Sequence, residues 1–375
     1  MRAARGFSLV EMMIAVTMGL VVTGAVIATF VGMQSASTRT SGAAALADNG
    51  RIALDVIQQA LRSAGYMACN TTRQQTLALP ASPTPMTYDF TEALSGYEAV
   101  GTSPGDTFQL SASPAADNST SDWATSTELG DALDASVVSQ GAAGNGPPIK
   151  GSDVLAVHET YEPVAPVYST ATSVANTVPV TSTTGLQAGQ VGIVSDCANS
   201  VADLITSASG NSVTFATALP STFGAGSQVG VADTVVFYIG VGADGDGALY
   251  SYSLAGNSSF STPAVEVVPD VENMQILYGV DTNGSLAATE YVTADEVPAA
   301  VAGNATYCPT GYQFVEFNCV ISIKIAVLAA SPLNSTQLPQ AAQTYSLLGT
   351  AVTAPIDTRE RQEFEMTISL RDATN

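Results

Sequence analysis

Residues 5–33 read RGFSLVEMMIAVTMGLVVTGAVIATFVGM, and from Phe7 to Met33 no side chain is charged except Glu11. A helix over 7–33 is roughly 40 Å long at 1.5 Å per residue, enough to cross a hydrocarbon core of about 30 Å. Arg2 and Arg5 lie just upstream and hold the leader on the cytoplasmic side, so the chain beyond Met33 faces outward. The run is too long for the core of a cleaved secretory signal, and no small-residue cleavage site comes after it. A lipoprotein signal would need a cysteine at the cut, and the first cysteine is Cys69. A plain membrane anchor leaves Glu11 without a reason. A carboxylate inside an apolar helix costs about 2.5–3.5 kcal/mol on insertion scales, so Glu11 marks a place where a partner is met.

The bulk composition agrees with an exported chain. Of 375 residues, 11 are Lys or Arg and 33 are Asp or Glu, for a net charge of −22. That balance keeps a head domain soluble and excludes broad electrostatic binding to nucleic acid. Low charge with abundant Thr, Val and Ser points to strands and loops. A single histidine, His158, argues against a His-based metal site or catalytic triad. The four cysteines, Cys69, Cys197, Cys308 and Cys319, include no C-x-x-C pair; in an exported protein they suggest two disulfides, with three connectivities open.

Arg5-Gly6-Phe7-Ser8-Leu9-Val10-Glu11 resembles the class III signal of type IV prepilins and type II secretion pseudopilins. The resemblance implies that a membrane prepilin peptidase cuts between Gly6 and Phe7 and that Phe7 is then N-methylated. Glu11 becomes the fifth mature residue, where that family keeps a glutamate. The new α-amine and Glu11 are each penalised when buried alone and relieved when paired, so adjoining subunits are selected at one axial offset. Gly19, Gly24 and Gly32 leave small patches for close helix approach. Many major pilins have a proline midway along this segment where this chain has Ala28, which leaves a bend there without its usual cause.

Beyond the signal, residues 34–46 are small and polar, a weak helical continuation. Ile52, Val56, Ile57, Ala60, Leu61 and Ala64 recur on one face of a helix, and Gly65 offers a C-terminal cap. Residues 70–150 are rich in Pro, Ser, Ala and Gly, predicting loop with short strands; Trp123 within it is a packing residue. From Lys150 the chain turns to β structure: Asp153–His158, then a β module over 174–232 with a hairpin at Gly210-Asn211. Thr234–Gly240 and Ala248–Ser253 pair around Gly245-Asp246-Gly247, before strands at Met274–Asp281, Val315–Ala329 and Gln362–Arg371. In the last two, Ile321, Ile323, Ile325 and Val327, and Phe364, Met366, Ile368 and Leu370, alternate with polar or small residues, predicting one face against the helix and one in water. The expected fold is α+β and pilin-like, a long N-terminal helix on an antiparallel sheet with an enlarged β-rich head. Its expected parts are a leader (1–6), a transmembrane and assembly helix (7–33), an amphipathic continuation (34–65) and the head (66–375).

Three internal segments resemble the PilW group of minor pilins: Arg51–Asp55 running into Arg62–Tyr66, Val271–Asp281, and Asp357-Thr358-Arg359-Glu360-Arg361. The resemblance implies a low-abundance subunit that primes or joins pilus assembly and supports twitching motility. Its partners would be other minor and major pilins and the inner membrane, its head periplasmic and later at the cell surface. Cys308 and Cys319 lie farther from the chain end than the disulfide loop of major pilins does. Their proximity in sequence makes Cys308–Cys319 the local choice, which leaves Cys69–Cys197.

No cofactor or catalytic residue is expected. Asp244-Gly245-Asp246-Gly247 and Asp281-Thr282-Asn283-Gly284 gather oxygen ligands, but neither continues into a twelve-residue calcium loop: the sixth position is Leu249 or Leu286 and the last Ala255 or Val292. Asp-Gly and Asn-Gly also make ordinary turns. His158 has no nucleophile motif near it. The competing assignments are a type II secretion pseudopilin, which shares the signal, and a pilus-tip adhesin binding through the 70–150 loops.

Overall fold

The computed structural model describes residues 8–66, 75–77, 90, 92–115, 119–124, 137, 146–166, 175–196, 199–253, 264–285, 287–302, 317–336 and 338–370. Helix α1 runs unbroken over Leu9–Ser63. Four short strands come after it, β1 (Gln75–Leu77), β2 (Leu94–Ala99), β3 (Thr107–Gln109) and β4 (Trp123–Ala124). Next are β5 (Val154–Pro166), β6 (Thr177–Pro179), β7 (Val191–Ser195), β8 (Ser200–Ser209) and β9 (Ser212–Phe215). The chain returns through β10 (Gln228–Val241), β11 (Gly247–Ser253), β12 (Val265–Pro269), β13 (Val271–Val280) and β14 (Glu290–Val292). A short helix α2 (Val297–Val301) precedes β15 (Val320–Ala330), β16 (Thr344–Leu347), β17 (Thr350–Thr353) and β18 (Arg361–Ser369). The fold is α+β, one long helix against a large, mainly antiparallel β head.

Three sheets share the work. The four-stranded sheet, ordered β14-β13-β15-β18, is antiparallel throughout and faces the outer half of α1. An eleven-stranded sheet is built around β10, which pairs with β5, β7 and β11, and the small sheet β16-β17-β3 caps the back of the four-stranded one. The main core joins Ala53, Leu54, Ile57 and Leu61 of α1 to Ile323, Ile325 and Val327 of β15, Met274 and Ile276 of β13, and Leu155 and Val157 of β5. A second apolar core, with Val178, Ile205, Val213, Phe215 and Phe223, lies within the strands between 177 and 231. Strand β10, at roughly 3.3 Å per residue, carries the chain some 45 Å from that core back to the main one.

Two features differ from the sequence pattern. Strand β15 is predicted to wet one face, yet Ser322 and Ala326 are buried as well as the isoleucines. Two covers cause this: Ala326 and Leu328 pack with Leu110, Leu347 and Val352 of the small sheet and its approach, and Ser322 lies at the Tyr291 hydroxyl of β14, 3.1 Å. On α1, Ile52 is exposed, and the buried stripe is Leu46, Gly50, Ala53, Leu54, Ile57 and Leu61. Small residues hold the stripe because β18 comes too close for larger ones; a Cβ on Gly50 would lie 2.2 Å from the Phe364 ring. The helix stops where expected, with Gly65 at φ +72° and its amide donating to the His158 carbonyl, 2.8 Å. The hairpin joining β8 to β9 turns at Gly210-Asn211, with Gly210 at φ +60°.

Candidate functional site

The N-terminal helix begins with a cap that the sequence pattern carries but the motif reading passes over. Ser8 is extended (φ −79°, ψ 150°), and its hydroxyl accepts the Glu11 amide at 3.2 Å. Ser8-Leu9-Val10-Glu11 has the S-x-x-E spacing of a capping box. It fixes Glu11 in the first turn, where the helix dipole favours a carboxylate. The dipole offsets part of the cost of carrying a carboxylate into an apolar layer. Gly6 and Phe7, the expected cleavage site, lie outside the described residues.

Between Leu9 and Met33 the helix surface is apolar apart from Glu11 and three threonines. Leu9, Met13, Val21, Phe30 and Met33 are exposed, as are the large apolar side chains between them, and the segment is long and apolar enough to cross a membrane. The three threonines close their hydroxyls on the helix itself: Thr17 to the Ile14 carbonyl (2.9 Å), Thr23 to Gly19 (2.8 Å) and Thr29 to Val26 (2.8 Å). Such a helix enters lipid or a helix bundle without open donors. A Cβ at Gly19, Gly24 or Gly32 would meet nothing within 4 Å, so these glycines are not demanded by packing inside this chain.

The head holds the helix from Arg39 onward, and the helix is buried from Gly42. Gly42 lies under Ser335 and Gly50 under Phe364, Arg39 pairs with Glu360 at 3.2 Å, and Ser63 donates to Glu159 at 2.5 Å. Behind this grip sits a charge network that no single motif announces. Arg359 and Arg361 have side chains 3 % exposed. Arg359 bonds Asp246 and, at 3.2 Å, Asp270. Arg361 holds Glu272 through two nitrogens (2.6 and 3.0 Å) and also bonds both oxygens of Asp357 (2.9 and 2.5 Å). Two of the internal segments noted from sequence, and the Asp-Gly turn weighed as a calcium loop, therefore meet here, with Asp246 used by an arginine. In the Asn-Gly turn, the Asp281 carboxylate takes the amides of Asn283, Gly284 and Ser285 (3.0, 2.9 and 3.2 Å).

A buried pair of acids joins the sheets. Asp153 accepts the Ala99 amide of β2 (2.9 Å) and the Ile276 amide of β13 (2.7 Å) and is hydrogen-bonded to Glu98. Burial, and after it the charge of Asp153, drives the Glu98 carboxyl far above the usual carboxylate range. Burial raises Asp153 too, with the two amides working against it. His158 is fully buried, its Nδ1 2.9 Å from the Thr234 hydroxyl, and burial lowers its pKa to about 3, so it stays neutral. Trp123 is a core residue whose indole donates to the Ser152 carbonyl, 2.9 Å. Cys319 is 3 % exposed and disulfide-bonded; Cys69, Cys197 and Cys308 lie outside the described residues.

Comparison with known families bears on both ends of the chain. Residues 1–27, which hold Gly6, Phe7 and Glu11, match the prokaryotic N-terminal methylation motif. Residues 236–372, from within β10 to just past β18 and including the whole arginine network, match the family described as type IV pilus-assembly protein W. No curated protein matches the chain. With a methylation motif ahead of an exposed apolar helix, and the pilus-assembly match covering the sheet that grips that helix, the chain is similar at both ends to minor pilins of the PilW type.

Proposed function

We propose that this subunit primes or joins type IV pilus assembly once its leader is removed, and that it supports twitching motility as a structural, non-enzymatic component. Prepilin peptidase cuts between Gly6 and Phe7, Phe7 is N-methylated, and the Phe7 amine of one subunit pairs with Glu11 of its neighbour. The head is periplasmic while the helix sits in the inner membrane, and reaches the cell surface with the fibre. One observation carries this reading: an open apolar segment, Leu9–Met33, holds a single carboxylate, placed in its first turn by Ser8, and runs on as one unbroken helix into the head. Neither a lone anchor nor a soluble enzyme needs that carboxylate. Cys308–Cys319 and Cys69–Cys197 are the proposed disulfides; peptide mapping under non-reducing conditions that joins Cys308 to Cys69 contradicts them.

The test is replacement of Glu11 by Ala in the full chain, beside a variant whose cut at Gly6 is blocked. Both should leave the protein in the membrane and abolish its contribution to fibre initiation. Fibre initiation at the unaltered level in either variant overturns the reading. Deletion that stops twitching but spares protein secretion separates this role from that of a secretion pseudopilin.

A further inference from the structure

The part of the head nearest the apolar helix includes two loops, 331–336 with 338–343, and 354–360. They run side by side: the Ser331 amide donates to the Glu360 carbonyl (2.7 Å), Thr336 to Thr358 (3.1 Å) and Gln340 to Asp357 (2.6 Å). The second loop is held from beneath by the buried Arg359 and Arg361. The first lies on α1, where Asn334 and Ser335 share one small cavity with Val31, Gln34, Ser35 and Thr38. These loops therefore stand at the level where the apolar segment ends.

Three large apolar side chains project from them into the open: Leu333 (56 % exposed), Leu338 (74 %) and Ile356 (67 %). Among the described residues beyond Met33, only four other large apolar side chains are exposed, and these are scattered over the rest of the molecule. Scattered exposure is normal, whereas a group on two bonded loops is a patch that expects a cover. Counting from Leu9, about 20 residues span a hydrocarbon core of about 30 Å, and the headgroup layer takes up the next few. Val31 falls in that layer, and the two loops begin beside it. Charge at this place is already spent, since Arg39 pairs with Glu360 and Asp357 with Arg361.

We infer that Leu333, Leu338 and Ile356 form an interfacial foot that enters the outer headgroup layer of the membrane holding α1. The foot braces the head against the bilayer before the subunit leaves it. Continuity with the membrane-spanning helix identifies the occupant as lipid, and the local neutrality makes zwitterionic lipid sufficient. This inference rests on the reading of α1 as membrane-embedded.

The full chain is reconstituted singly into phosphatidylcholine nanodiscs, with acyl chains either plain or brominated near the headgroup. Three variants carry an added tryptophan: Phe30→Trp in the helix, Leu338→Trp in the foot and Ser209→Trp at the β8–β9 hairpin at the far end of the head. Native Trp123 is buried in the head and gives a common background. Bromination should remove half or more of the added emission in F30W and in L338W and leave S209W unchanged. Quenching of F30W without L338W overturns the foot while leaving the membrane helix in place. No quenching of F30W overturns both. Equal quenching of S209W and L338W also overturns the foot, because the head would then lie on lipid without preference.

Discussion

Replacing Arg359 by Met keeps most of the apolar stem and removes the charge. In the native chain this guanidinium ties the turn after β10 (Asp246) and the turn between β12 and β13 (Asp270) to the loop entering β18, with Glu272 at 3.7 Å. Asp270 even adopts φ +58°, an uncommon conformation for a non-glycine residue. Removing one side of a buried charge pair costs about 3–5 kcal/mol. The partner side chains are 29, 15 and 12 % exposed, so water recovers part of this and about 3 kcal/mol is expected. For a cooperative unit of roughly 300 residues, 1 kcal/mol moves Tm by roughly 1.5 °C, so R359M should melt about 5 °C lower at pH 7. Burial raises the Asp270 carboxyl while Arg359 pulls it down. Without Arg359 it takes a proton more readily, a form whose stability is present at low pH and lost as pH rises, so the deficit should shrink at pH 5. Circular dichroism melts of the detergent-solubilised chain at both pH values read this directly. A Tm within about 1 °C of the native chain rules out a stabilising role for the Arg359 contacts, and a deficit that grows on acidification contradicts the pairing with Asp270.

Glu98→Gln tests the acid pair. Because both folded carboxyls lie above the ordinary range near pH 4, their contribution is complete below that range and is lost as pH rises through the folded values. The native Tm should therefore fall more between pH 5 and pH 9 than that of E98Q, and parallel profiles contradict the pairing. His158 acts in the opposite sense, its contribution present above pH 6.5 and lost on acidification, but it is common to both chains and cancels in the comparison. Gly50→Leu should lower stability by about 1–3 kcal/mol by overpacking, despite a better helix propensity. Adding Phe364→Ala should restore much of it, since the Phe364 ring fills that space; a single variant as stable as the native chain contradicts the packing.

The long helix and the paired strands β10, β11, β13, β15 and β18 are legible because their signals are local: apolar run, alternation, Gly-rich turns. What escapes is set by neighbours distant in sequence. Ala326 looks solvent-facing until the small sheet covers it, Ser322 until Tyr291 of β14 meets its hydroxyl, and Ile52 looks buried until the close approach of β18 selects Gly50 instead. The buried strand β2 falls in a stretch that reads as loop with short strands and gives no position for them, because its partner β5 begins more than fifty residues after it ends. Glu98 and Asp153 become a pair only across that ladder. At the helix start the residues are readable, and the spacing of Ser8 to Glu11 is enough to find the cap. Arg359 and Arg361 stand out as a segment, but most of their carboxylates, Asp246, Asp270 and Glu272, lie about ninety and more residues upstream.

The most direct test of leader removal and assembly is the intact mass of the protein extracted from membranes of cells that make it. The processed chain should lack Met1–Gly6 and carry one added methyl group on Phe7. A mass that retains the leader, or that begins at any residue other than Phe7, contradicts the assembly role.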